Sequence, residues 1–227
     1  MSTNNKRSFE FLSVSLMLGL GAAIGALVFF AWLTDEVLEG ETRHFDDVTR
    51  AAVHQFASPA LTSLMRCISF LGSTLFLTLA TIAVVLWFLY RKWRREAKLF
   101  AITMIGASLL NTTLKVAFKR PRPVPFFNLL APESFSFPSG HSLASCCFFG
   151  ALAALLTARL QGSRLRAAIW VVATLLFLLI GLSRIYLGVH YTTDVVAGFV
   201  AALIWIMVVR FVEMQLARRR DRVRASG

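Results

Sequence analysis

Residues 183–194 read Ser-Arg-Ile-Tyr-Leu-Gly-Val-His-Tyr-Thr-Thr-Asp and place Arg184, His190 and Asp194 between two strongly apolar runs. Charged groups are costly near lipid, and chemistry is one reason to keep them there. His190 and Asp194 are four residues apart. If the helix that becomes 195–209 has already begun at His190, the two side chains share a face within hydrogen-bond reach, and the carboxylate can fix the imidazole tautomer. Arg184 stands six residues before His190 across a connection containing Gly188, which lets a fixed cation face the imidazole from the end of the preceding helix. Together they make an anion site with a nucleophile in it. A short polar loop between two membrane helices, with Arg184 and Asp194 simply paired, accounts for this stretch equally well.

A second candidate is Pro138-Ser139-Gly140-His141, immediately before another apolar run. Serine is a favoured N-cap, and the exposed N–H groups of a helix start bind anions. Gly140 allows the close approach that a phosphate requires, and His141 then stands in the first turn. Alone, these four residues are an ordinary helix start. Ahead of them, residues 118–138 hold five of the six prolines, which predicts a stiff, extended loop. It opens with Lys119-Arg120-Pro121-Arg122-Pro123 and continues through Phe126, Phe127, Phe135 and Phe137. Such a loop either rests on lipid headgroups through its aromatics or forms a phosphate clamp beside a lipid entrance.

The elements that must position these residues are membrane spans. Hydrophobic residues make up 57% of the chain and charged ones 16%, and the mean hydropathy is +0.67, a composition of integral membrane proteins. Each span needs about 20 mostly apolar residues, and apolar runs lie near 11–33, 68–90, 99–118, 139–158, 167–183 and 191–212. The expected fold is all-α: one six-span domain over 1–227 with its motif core in 115–194. The first run follows Lys6 and Arg7 as in a signal peptide, but it is too long and lacks a small-residue cleavage site, so it reads as a retained span.

The net charge of +12 is distributed by topology rather than for nucleic acid. Basic residues gather at 6–7, 91–98, 159–166 and 210–224, alternate ends of the spans, while Asp35, Glu36, Glu39, Glu41, Asp46 and Asp47 lie on the other side. The positive-inside rule puts both termini in the cytoplasm and the segments 115–141 and 184–190 outside it. Residues 34–58 are expected to form a short interfacial helix with Val48, Ala52, Val53 and Phe56 on one side, His44 and His54 being solvated. Ser58-Pro59 is a helix start. Cys67, Cys146 and Cys147 are few, odd in number and close to apolar runs, and read as small hydrophobes.

Taken in order, the polar segments are Lys115, six residues, Arg122-Pro123; Pro138-Ser139-Gly140-His141; and Ser183-Arg184, five residues, His190, three residues, Asp194. All fall on one expected side of the membrane. Their order and spacing resemble the type 2 phosphatidic acid phosphatase family, whose members include lipid phosphate phosphatases, undecaprenyl diphosphate phosphatases, soluble acid phosphatases and vanadium haloperoxidases. The resemblance implies that His190 is a nucleophile forming a phosphohistidine and that Asp194 orients it. It further implies that His141 protonates the leaving oxygen and later assists water. Lys115, Arg122 and Arg184, with Ser139 and the Gly140 N–H, would then hold the phosphate oxygens, with no metal or cofactor. Lys119 and Arg120 match no motif position and are read as headgroup-facing charges.

Three cations converging on one pocket would repel the ion of a zinc or two-metal hydrolase, and no ligand cluster at close spacing is visible. A transporter, the rival of another class, usually shows paired broken helices and a midplane site, whereas these charges sit at the ends of spans. Haloperoxidase relatives are soluble, unlike this chain. The partners implied are the bilayer and a lipid phosphate, for example phosphatidic acid, phosphatidylglycerophosphate, undecaprenyl diphosphate or a lipid A phosphate, in a bacterial inner membrane. A phosphotransferase would use the same site and differ only in what attacks the phosphohistidine. The sequence carries no signal for oligomeric state.

Overall fold

The computed structural model describes residues 3–129 and 133–225, and all regular structure among them is helical. In chain order the helices are α1 (Thr3–Glu39), α2 (Arg43–His54), α3 (Pro59–Phe70), α4 (Thr74–Tyr90), α5 (Arg94–Phe118), α6 (Gly140–Thr157), α7 (Ser163–Tyr186) and α8 (Thr192–Ala225). Five are individually long and apolar enough to cross a membrane, and α3 with α4 makes a sixth, bent by 48°. The chain is a multi-pass membrane protein.

That bend corrects the uninterrupted span expected near 68–90. Helix α3 stops at Phe70, and α4 restarts at Thr74 with the Ser73 hydroxyl accepting from Phe76 N at 3.2 Å. Gly72 sits in the corner because a Cβ there would lie 2.4 Å from Ile180 Cγ2 and 3.1 Å from His141 Cδ2. The break therefore lets backbone pack against α7 and the first turn of α6. At the start of α3, Ser58 caps through Leu61 N at 3.3 Å and Pro59 opens the helix, as expected.

Helix α6 is the centre of the bundle, with more than half of its residues buried, from Ser142 to Thr157. Leu143, Cys146 and Cys147 pack with Ala107 of α5 and Ala201 and Ala202 of α8. Both cysteines are free and buried, as expected of small hydrophobes, while Cys67 is exposed. Small residues allow α8 to approach α6 closely, where packing rather than hydrophobic driving force holds helices together. A Cβ on Gly198 would come within 2.7 Å of Ser139 O and 2.9 Å of Ser142 Cβ. At the far end, Glu96 of α5 accepts from Arg159 at 2.7 Å, tying α5 to the end of α6.

Residues 34–58 depart from the expected interfacial segment in three ways. Thr34–Glu39 continue α1. In α2, Phe45 and Val48, with Phe56 just beyond its end, form an exposed apolar stripe, but Val53 turns inward to pack with Met65, Tyr186 and Leu187, beside the buried Asp46 and Arg50. His54 stacks on the Phe126 ring at 4.0 Å instead of standing in solvent, whereas His44 is exposed.

The described parts of the proline-rich loop are non-helical, as expected. Its aromatics mostly point into the protein and not toward headgroups. Phe137 is fully buried against Phe30 of α1 and Phe118 of α5, and Phe127 stacks on Tyr186 at 5.5 Å. Ser136 pins the two limbs together, its N–H donating to Arg120 O at 2.9 Å and its hydroxyl to Pro121 O at 3.0 Å.

Gly198→Ala should destabilise the protein by roughly 1–3 kcal/mol, the usual cost of forcing a methyl into a packed interface. Gly25→Ala, whose added Cβ meets nothing within 4 Å, should be close to neutral. Thermal unfolding of both variants in one detergent checks this, and equal midpoints would contradict the close α6–α8 contact.

Candidate active site

The two histidines line the same cavity and come from different helix starts. His141 lies in the first turn of α6, whose N-cap Ser139 accepts from Ser142 N at 3.4 Å. His190 precedes α8, which begins at Thr192 and not at the histidine, so the pairing with Asp194 does not arise from one helical face. Instead Asp194, in the first turn, reaches back: its Oδ2 lies 3.2 Å from His190 Nδ1 and accepts from Tyr191 N at 2.9 Å. The second contact is the backward half of a capping box, a first-turn acid satisfying an N–H just outside the helix. Gly188 turns the chain into position with φ +73°, where a Cβ would lie 2.6 Å from Phe126 N.

With Nδ1 facing the carboxylate, His190 Nε2 is left facing the cations. Arg122 Nη1 is 3.0 Å away and also donates to Val189 O at 2.9 Å. The same guanidinium is held from behind by Ser134, through its carbonyl at 2.6 Å and its hydroxyl at 2.9 Å. Lys115 Nζ donates to Phe135 O and Arg184 Nη1 to Ser69 Oγ. Lys115, Arg122, Gly140, His141, Arg184 and His190 all line one cavity of about 680 Å³. Its other end is apolar, walled by Leu77, Ile82, Val85, Met104 and Ile105 between α4 and α5.

Asp194 and Ser139 do not line this cavity. Asp194 lies fully buried behind His190. Ser139 is buried beneath Gly140: its hydroxyl accepts from Ser142 Oγ at 2.9 Å, and its N–H donates to Asp194 O at 2.9 Å. That backbone bond joins the Pro-Ser-Gly-His turn directly to the start of α8.

Arg120 is not a headgroup-facing charge. It is 9% exposed, donating from Nη1 to Asp194 Oδ1 at 2.6 Å and Thr193 Oγ1 at 2.9 Å, and from Nη2 to Asp46 Oδ2 at 2.8 Å. Its guanidinium lies 4.2 Å from the centre of the Tyr191 ring. Asp46, fully buried on α2, accepts from Thr193 N at 2.9 Å and Thr193 Oγ1 at 2.7 Å. Both residues escaped the sequence reading. The available signal was the Arg-Pro-Arg-Pro run itself: in a polyproline-like backbone with three residues per turn, arginines two apart point in different directions, so one clamp arginine implies a second destination. Lys119, which ends α5 in the left-handed conformation, is exposed as expected.

Burial pushes the His190 imidazole down to about 4, Arg122 and Arg184 adding to the shift while the hydrogen bond and charge of Asp194 oppose it. Burial also lowers Arg122, against the pull of Asp194. The imidazole is therefore neutral at physiological pH, as a nitrogen nucleophile must be.

The family model of the PAP2 superfamily matches residues 96–217, and the chain belongs to that superfamily. Phosphatidylglycerophosphatase B of Bacillus subtilis (strain 168) is 32% identical over 202 residues, spanning 88% of this chain and 98% of that protein. Lipid A 1-phosphatase of Rhizobium etli is 37% identical over 121 residues, 48% of this chain and 46% of the relative. The crystal structure of a transmembrane PAP2-type phosphatidylglycerolphosphate phosphatase from Bacillus subtilis matches with a TM-score of 0.78 at 30% identity, over 85% of this chain and 96% of that one.

Because the folded pKa of His190 lies below the free imidazole value of 6.5, its neutral form survives to lower pH. For para-nitrophenyl phosphate, kcat/KM corrected for the phosphate's own titration should hold as pH falls through 6.5 and decline only near 4. An acid limb at or above 6.5 would mean that the imidazole is not desolvated as described.

Proposed function

We propose that this chain is a lipid phosphatase that hydrolyses a phosphomonoester or diphosphate lipid through a phosphohistidine on His190, at the extracytoplasmic face of a bacterial inner membrane. The observation that carries this reading is the two-ended cavity: a buried His190 and three cations at one end, apolar walls at the other. A lipid phosphate matches both ends at once.

Lys115, Arg122 and Arg184 neutralise the phosphate so that an uncharged imidazole can attack it, and their side chains are already held by Phe135, Ser134 and Ser69. Prearranged charges stabilise the transferring phosphoryl group without reorganising at the moment of reaction. The Gly140 N–H, at the start of α6, adds to the same field, and the buried Ser139 supports that turn. His190 Nε2 forms a bond to phosphorus while the bond to the lipid oxygen breaks. His141 gives that oxygen a proton and leaves the lipid as a neutral alcohol or a shorter phosphate. A water then attacks the phosphohistidine, loses its proton to His141 and releases inorganic phosphate from His190. Asp194 keeps the proton of His190 on Nδ1 and balances the positive charge that the ring gains.

The relatives named for phosphatidylglycerophosphate and lipid A phosphates support a substrate with a terminal phosphate on an apolar anchor. Phosphatidic acid, phosphatidylglycerophosphate and undecaprenyl diphosphate all meet that description. The extracytoplasmic placement rests on the alternation of basic and acidic segments along the chain.

General acid catalysis matters most for a basic leaving group, so leaving groups separate the two histidines. In kcat/KM, which reports the steps up to departure of the leaving group, His141→Ala should lose roughly a hundredfold to ten-thousandfold on a lipid monophosphate but keep most of its value on para-nitrophenyl phosphate, while slowed attack by water lowers kcat on both. His190→Ala should lose both. The kcat/KM of each variant is measured on each substrate, with folding checked by gel filtration in detergent. Equal proportional loss in His141→Ala would remove that residue as the acid, and retained activity in His190→Ala would overturn the mechanism.

A further inference from the structure

We infer that Asp46 and Arg120 are positioning residues for the phosphoryl transfer, acting on His190 through Asp194. The inference rests on the reading of His190 as nucleophile and goes beyond it by assigning a role to α2 and to a second arginine.

Both oxygens of Asp194 are engaged, and from opposite sides. His190 Nδ1 and Tyr191 N share Oδ2, and Arg120 takes Oδ1 at 2.6 Å. A carboxylate pinned at both oxygens cannot rotate, so the imidazole plane it holds cannot rotate freely either. Arg120 is itself fixed by three groups: Asp46 below it, Thr193 Oγ1 beside it and the Tyr191 ring across its face. Asp46 closes the arrangement by accepting the Thr193 N–H in the first turn of α8, the helix that carries Asp194.

The charges point the same way. Two buried carboxylates, Asp46 and Asp194, face one guanidinium, Arg120, so the cluster carries one net negative charge behind the imidazole. Lys115, Arg122 and Arg184 lie on its other side. As Nε2 attacks phosphorus the ring becomes cationic, and the cluster then becomes neutral overall. A fixed field that suits the charge formed during the reaction is the arrangement that lowers the barrier.

A structural tether is the competing explanation, since buried ion pairs are weak evidence for stability. Other bonds already provide that tether. Thr49 Oγ1 of α2 meets Thr192 Oγ1 at 2.6 Å, and Arg50 Nη2 donates to Val124 O at 2.9 Å and Gly188 O at 3.1 Å. None of these touches the Asp194 carboxylate.

The test compares Asp46→Asn, Arg120→Lys and, as the tether control, Thr49→Val, each alone and in an Asp194→Asn background. With para-nitrophenyl phosphate, Asp46→Asn and Arg120→Lys should lower kcat by roughly tenfold to a hundredfold, by analogy with the partners that orient histidine ligands in metal sites, with KM little changed. In the Asp194→Asn background the same substitutions should cost almost nothing further, because residues acting as a unit are strongly non-additive. Thr49→Val should lower the unfolding temperature and leave kcat intact. Nitrogen-15 histidine spectra provide a readout independent of turnover, and with only four histidines the His190 signals can be assigned by substitution. Wild type should show a single Nδ1-protonated tautomer, and Arg120→Lys a mixture. Full additivity with Asp194→Asn, a loss confined to KM, or an unchanged tautomer would overturn the proposal. Should Asp46→Asn fail to fold, Arg120→Lys carries the same comparisons. Activity surviving in His190→Ala would instead strike the underlying mechanism, a separate outcome.

Discussion

A carboxylate with no solvent exposure must have its charge matched inside the protein, and Asp194 draws on three separate stretches of chain to do so. His190 and Tyr191 come from the connection before α8, and Arg120 from the proline-rich loop, itself held by Asp46 of α2. The backbone of the same residue accepts from Ser139 N, which brings in the start of α6. Satisfying this one buried residue thus joins the proline-rich loop, α2, the start of α6 and the connection that carries His190. The break between α3 and α4 lets Gly72 pack against Ile180 and His141, and the Gly188 turn lies against Phe126.

The cavity couples two environments that a lipid phosphate also couples. Toward its cationic end, charged side chains are held by Ser69, Ser134 and Phe135 and converge on His190 and His141. Toward the other end, Thr78 and Thr81 of α4 and Ser108 of α5 are the polar groups among apolar walls. In the proposed reaction, an imidazole between a negative cluster and three cations is polarised along the direction in which charge would move during attack. Burial keeps it neutral beforehand, and the carboxylate makes the charged product tolerable.

Much of this was legible in the sequence, for an identifiable reason. Polar residues inside a strongly apolar chain stand out, so Lys115, Arg122, Ser139, Gly140, His141, Arg184, His190 and Asp194 could be read by type and spacing, and the spans by their apolar runs. What was not legible depended on pairing across long separations. Arg120 meets Asp194 across 74 residues, and Asp46 meets Thr193 across 147. No local pattern announces such partners, so an arginine and an aspartate near the membrane surface looked like headgroup and loop charges. The same limit applies to Val53 and His54, whose partners Tyr186 and Phe126 come from elsewhere in the chain. The position of His190 just outside α8 was also hidden, because a four-residue spacing suggests one helical face whereas a backward-reaching first-turn acid gives the same contact.

The central claim is that His190 carries the phosphoryl group between substrate and water. The direct measurement is rapid-quench trapping with phosphorus-32-labelled nitrophenyl phosphate, using His141→Ala so that attack by water is slowed and the intermediate accumulates. The account predicts a covalent label that is stable in base, labile in acid and located by peptide mapping on His190. A label on any other residue, or steady turnover with no covalent label at any quench time, would contradict it.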